Sequence, residues 1–168
     1  MTIKVNENKQ YIIEGFYTFN GKKEEFEGDL VYVPKDKKIV GVIVDEVTSE
    51  KDKLVVGFLN GHNLRFWKMQ PIQNISRPIM YNVSGTTNDG FKGYWGAFNN
   101  LEDYIYMLGQ IPEISQSFRL DSTENQISNL EKIASERLAP FFDERLMNPI
   151  YEFGKANNNY TEFRLRQL

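Results

Sequence analysis

The chain has no cysteine and one histidine, His62. Without cysteine there is no disulfide framework, no thiolate zinc site, no iron–sulfur cluster and no cysteine nucleophile. A single imidazole excludes every site that needs two. No apolar run reaches the length of about 18 residues that reads as a membrane-spanning helix. The opening Met1-Thr2-Ile3-Lys4-Val5-Asn6 lacks the apolar core of a secretory signal, so a cytoplasmic protein is expected. Excess positive charge is missing too: 20 Lys and Arg stand against 23 Asp and Glu, for a net charge of −3 and a pI near 5.3. That balance argues against a nucleic-acid partner held by bulk charge. What remains is 168 residues, 40% hydrophobic and 26% charged, enough for one packed domain and too apolar for a disordered chain.

Aromatic residues are plentiful: 12 Phe, 9 Tyr and 2 Trp, 14% of the chain. From Tyr11 to about Leu108 they fall in short segments separated by turn residues, the spacing of an antiparallel sheet or barrel. Eight strands are expected. Tyr11–Phe19 runs into Asn20-Gly21, a strong hairpin signal because both residues tolerate positive φ. Glu24–Val33, Lys38–Val47, Leu54–Leu59 and Asn63–Met69 follow, then Pro78–Val83 and Phe91–Phe98. An eighth strand falls around Tyr104–Leu108, a segment that reads equally as a short helical turn.

Strand parity assigns the inner face. In the second strand Phe26, Gly28, Leu30 and Tyr32 alternate with Glu25, Glu27 and Asp29. The same alternation turns Tyr11, Ile13, Gly15, Tyr17 and Phe19 inward, then Ile39, Gly41, Ile43 and Asp45. Leu64, Phe66 and Lys68, Ile79, Tyr81 and Val83, and Phe91, Gly93 and Trp95 complete the interior. Glycines recurring on one face permit tight curvature and make room for large neighbours, as a closing barrel requires, and tilt the reading toward an open cavity.

The third and fourth strands are apolar on both faces, with Val40, Val42 and Val44 opposing Ile39 and Ile43, so something must cover them. From Asp121 the period becomes helical. Thr123 and Gln126 form a capping box, and Ile127, Leu130, Ala134 and Leu138 share one side of a helix expected to dock on the barrel exterior. Pro140 begins a second helix with Phe141, Phe142, Leu146 and Ile150 on its apolar side, interrupted at Pro149 and Gly154. Tyr160–Leu168 reads as a final strand or a frayed end. The organisation expected is a barrel over residues 1–110 and a helical brace with its tail over 111–168, in one structural domain.

The segments Glu27-Gly28-Asp29-Leu30, Gly41-Val42-Ile43-Val44-Asp45, Leu64-Arg65-Phe66-Trp67-Lys68, Ile79-Met80-Tyr81 and Gly93-Tyr94-Trp95 carry a resemblance. Over roughly residues 10–108 the pattern resembles the calycin-type barrels: lipocalins, fatty-acid-binding proteins and avidin-like barrels. The first strand has Gly15-Phe16-Tyr17 where lipocalins have Gly-x-Trp. The resemblance implies an antiparallel up-and-down barrel that holds one small ligand or is filled by its own side chains.

Two charges fall on the inner face, Asp45 and Lys68. Burying either alone is costly, so they form an ion pair or a polar ligand anchor, or else they sit wet at the barrel rim. Tyr17, Tyr32, Tyr81 and Trp95 each join a flat apolar face to a hydrogen-bonding tip, which suits an aromatic ligand and equally an ordinary core. With Phe66 these make the candidate ligand-binding set: Tyr17, Tyr32, Asp45, Phe66, Lys68, Tyr81 and Trp95. His62 lies in a turn with no partner to make it a base. Asp45-Glu46, Glu24-Glu25 and Glu102-Asp103 read as solvated charges, and Gly85, Gly90 and Gly93 do not form a phosphate loop.

No catalytic residue, metal site or cofactor is expected. The function expected is non-enzymatic binding of a small apolar or aromatic molecule, with neither nucleic acid nor membrane as partner. The alternative is a protein-interaction module with a filled barrel, meeting a partner or a second copy in a homodimer through Val42, Val44, Trp67 and Met69.

Overall fold

Alternation of large apolar and polar residues along short segments produces eight antiparallel strands that close on themselves. The computed structural model describes residues 8–45, 53–69, 78–97 and 139–168. The strands are β1 (Lys9–Phe19), β2 (Lys22–Val33), β3 (Lys38–Asp45), β4 (Lys53–Asn60), β5 (Asn63–Met69), β6 (Ile79–Thr86), β7 (Gly90–Ala97) and β8 (Tyr160–Gln167). Each pairs with the next in sequence and β8 returns to β1, so the described sheet has no free edge. Among the described residues one helix, α1 (Glu144–Ala156), follows a 3-10 turn at Ala139–Phe142 and packs on β7 and β6.

The barrel is closed by the C-terminal tail. Of the two readings of residues 160–168, the strand holds, and the barrel therefore draws on both sides of the division at residue 110. The expected strand at 104–108 lies outside the described residues, as does the expected helix at 122–138. β8 places Phe163 and Leu165 in the core and buries Thr161, whose hydroxyl donates to the Phe16 carbonyl at 2.9 Å. β6 also runs three residues beyond Val83, because Thr86 still pairs with Gly90 and accepts a bond from the Asp89 amide at 3.0 Å.

The inner face is the one that parity assigned. Tyr11, Ile13, Phe26, Leu30, Ile39, Ile43, Leu64, Phe66, Tyr81, Val83, Phe91 and Trp95 form one buried cluster, joined by Val55 and by Phe163 and Leu165. The inward glycines face large residues across the ladder: Gly28 pairs with Ile43, and Gly41 with Leu30. A methyl at Gly41 would stand 2.8 Å from Leu30 Cδ2 and would collide with the Asp29 carbonyl. The room these glycines release is thus taken by neighbouring side chains and by close strand approach.

The outward residues Val31, Val40, Val42, Val56, Trp67 and Met80 are also buried. Trp67 is fully enclosed, and its indole N–H donates to the Phe141 carbonyl at 3.0 Å. Phe142 packs edge-on against Phe58 with centroids 4.8 Å apart. The 3-10 turn therefore lies against the outside of β4 and β5. Sequence reasoning broke the following helix at Pro149 and Gly154, yet it runs through both. Met147, Ile150 and Gly154 form its buried stripe, and this packing outweighs the bond lost at Pro149, which sits on the exposed side. Gly154 lets the helix approach the Trp95 carbonyl so closely that any Cβ would strike it. No helix among the described residues is long and apolar enough to cross a membrane.

The two rims differ. One carries the connections at 34–37, 61–62 and 87–89. The opposite rim, the mouth, carries the ends of β1, β3, β5 and β7, the starts of β2, β4, β6 and β8, and the C-terminus of α1.

Candidate functional site at the barrel mouth

Among the proposed ligand residues, five are joined within the barrel. Lys68 is only 4% exposed, which rules out the wet-rim reading for this residue. Its ammonium donates to the Tyr81 hydroxyl at 2.9 Å and lies 4.8 Å from the Tyr17 ring centroid and 5.2 Å from that of Tyr81. Ring faces stabilise a cation that has left bulk water. Tyr81 stacks on Phe66 at 4.6 Å and 15°. Tyr17 meets Trp95 edge-on at 6.0 Å and Phe26 at 6.3 Å, and Phe26 contacts Tyr81 and Phe163. These rings touch one another, the packing of a core.

Tyr32 is not part of this group. It pairs with Lys9 and Ile39 at the rim opposite the mouth, beside Tyr11. Burial pushes the Tyr11 hydroxyl above its ordinary pKa, with Tyr32 adding a smaller rise. Asp45 ends β3 in register with Phe26, and its side chain lies outside the described ones.

Trp95 joins the interior to the outside. Inside, it packs against Tyr17. At the mouth its indole N–H donates to the Thr18 carbonyl at 3.0 Å, and its backbone N–H to the Asn159 carbonyl at 2.9 Å. Beyond it opens a cleft of about 760 Å³ between the β1–β2 hairpin, the end of β7 and the C-terminus of α1. Its apolar wall is Trp95, Ala97, Phe19 and Phe153, the two phenylalanines being 52% and 48% exposed. Its polar wall is Thr18, Asn20, Asn157, Asn158, Asn159 and Tyr160. Of the described residues lining it, none is charged.

The frame of the cleft is tied together by hydrogen bonds. Thr18 Oγ1 accepts from the Tyr160 amide at 3.0 Å and lies within donating distance of the Asn158 and Tyr160 carbonyls. The Asn157 side chain donates to the Phe153 carbonyl at 2.8 Å, and the Asn159 amide to that of Gly154 at 2.8 Å. Asn158 holds a φ of 57°, a conformation asparagine tolerates better than most residues. The side-chain amides of Asn20, Asn158 and Asn159, unlike the backbone N–H groups of Asn158 and Asn159, bond to no described group.

Of this cleft the sequence reading names only Trp95 as a site residue. Phe19, inward by parity, is 52% exposed at the strand end, where parity no longer implies enclosure. Phe153 and the Asn157-Asn158-Asn159 run meet the β1–β2 hairpin only because the tail returns as β8. Among the described residues no group of three or more His, Asp or Glu side chains is placed to hold a metal ion. Compared with protein-family models, curated proteins and solved structures, the chain finds no match.

Proposed function

We propose that this barrel binds a small uncharged molecule, without chemical turnover, in the cleft at its mouth. The observation that carries this reading is the lining itself: two half-exposed phenylalanine rings beside three asparagine side-chain amides, on a hydrogen-bonded frame whose described residues carry no charge. Small-ligand pockets are mostly apolar with a few placed polar groups, and about 300–1,000 Å³ in volume. The closed up-and-down barrel agrees with a calycin-like protein, and the cysteine-free sequence with a cytoplasmic one. The aromatic interior of Tyr17, Phe66, Lys68 and Tyr81 serves in this reading as the rigid floor under Trp95, with the ligand outside it. Trp67 and Val42 are buried, so the interaction-module alternative has no support from those two residues.

Saturation-transfer NMR with a library of uncharged fragments tests the proposal. Fragments should bind the wild-type protein and lose most of their signal in Phe153→Ser, a half-exposed position, with the thermal melt of the variant staying close to that of the wild type. No binding, or binding indifferent to Phe153→Ser, would overturn it.

A further inference from the structure

Independently of any ligand, we propose that Tyr94 and Tyr160 form an oxidative cross-linking site, where a one-electron oxidant joins the two rings as dityrosine and ties the closing strand β8 to β7. The two residues stand directly opposite each other on the outer face, a position that holds Cβ atoms about 4.5–5.5 Å apart. Their ring centroids are 6.1 Å apart with the planes at 74°. An edge-on contact aims ring carbons of one tyrosine at the other. The product is itself two rings twisted about their joining bond, so the planes need not become parallel. Both side chains are only half-buried, which leaves them open to a small oxidant.

The proton inventory singles out this pair. Burial, then the bond to Glu162, holds the Tyr160 phenol protonated beyond its ordinary range, so loss of an electron must be accompanied by loss of the proton. A base is in place, because the Tyr160 hydroxyl donates to Glu162 Oε2 at 3.1 Å. Tyr17 and Tyr81 lack this arrangement. Both face the Lys68 ammonium, a positive charge that opposes withdrawal of an electron, and Tyr81 is 1% exposed. In the reaction each phenol gives one electron to the oxidant. The Tyr160 proton passes to Glu162 and the Tyr94 proton to water. The two radicals couple through ring carbons ortho to oxygen, and the hydrogens on those carbons move through water to the oxygens, restoring both phenols. The net change is the loss of two electrons and two protons. In a chain without cysteine the bridge supplies a covalent staple at the barrel seam.

The test is photo-oxidation of the dilute full chain with the ruthenium tris-bipyridine ion and persulfate. Dityrosine fluorescence should appear in the monomer, its mass should fall by two hydrogens, and peptide mapping should join Tyr94 to Tyr160. The bridged protein should melt about 5–15 °C higher, as a link that constrains the unfolded chain does. Tyr94→Phe and Tyr160→Phe keep their rings and should each cut the yield at least tenfold, whereas Tyr32→Phe should leave it unchanged. Glu162→Gln keeps an acceptor oxygen but is no base, and should slow bridging at least threefold without altering the melt. A bridge mapped to any other pair, dityrosine found only between chains, or no dityrosine would overturn the proposal. Bridging of Glu162→Gln at the wild-type rate would overturn it as well.

Discussion

The ammonium of Lys68 donates to the hydroxyl of Tyr81 at 2.9 Å inside the barrel, with both groups almost wholly shielded from solvent. A charged donor in such a place is tolerated because an oxygen and ring faces replace part of its hydration. Tyr81→Phe removes the oxygen and keeps the ring. Denaturant melts should show a loss of about 1–3 kcal/mol, the range for a buried polar group deprived of a partner. Tyr81→Ala also removes the stack on Phe66 and should cost about 3–5 kcal/mol, as large-to-small aromatic changes in cores do. Equal stabilities for Tyr81→Phe and wild type would show that the bond contributes nothing net.

The glycines separate two kinds of constraint. Gly28 faces the Val42 carbonyl and Ile43 so closely that an alanine methyl has no space, whereas Gly61 has open space around it and a φ of 64°. Gly28→Ala should therefore act as overpacking and lower stability by about 1–3 kcal/mol. Gly61→Ala should cost only the left-handed conformation, about 1–2 kcal/mol. Crystal structures of the two variants tell the causes apart. The first should shift β3 away from β2, and the second should leave the ladder unmoved.

Tyr11 sets an alkaline limit. Burial raises its folded pKa above the unfolded value near 10, so the unfolded chain releases this proton first. Its contribution is complete below pH 10 and declines as pH rises toward the folded pKa. Stability measured between pH 9 and 11 should fall in the wild type and fall less steeply in Tyr11→Phe.

Asp143 sets a smaller limit at the acid end. It caps α1 by accepting from the Arg145 amide at 2.8 Å and pairs with the Arg145 guanidinium at 3.0 Å. The side-chain bond from Arg145 lowers its pKa below 3.8, followed by the bond from the Arg145 backbone. The cap is therefore intact above about pH 4 and is lost as pH falls through the lowered folded value. NMR of the Arg145 amide should report that loss as a single acid titration. In Asp143→Asn the bond should persist without the titration.

Strand parity made the core legible because a residue's face depends only on its neighbours two positions away. That is why Phe66, Lys68, Tyr81 and Trp95 were placed inside without knowledge of the topology. The closing strand was less legible, because Tyr160–Gln167 pairs with β1 across most of the chain, and no local pattern records which edge a strand will meet. Pro149 misled for a related reason, since propensity weighs the lost backbone bond and cannot weigh Ile150 and Gly154 packed on β7. Tyr32 was grouped with Trp95 because parity gives the face and says nothing of which rim. The cleft combined all three difficulties: it needs the return of β8, the uninterrupted helix and the assignment of rims before Phe19, Phe153 and Asn158 can be seen as neighbours.

The most direct test of the account is the indole N–H signal of Trp95, the group shared by the packed interior and the mouth cleft. Titration with any fragment that binds should shift this signal together with Thr18 and Asn158, and leave the Trp67 indole unmoved. A ligand that shifts Lys68, Phe66 and Tyr81 while leaving Trp95 and Asn158 unchanged would place binding inside the barrel and contradict the account.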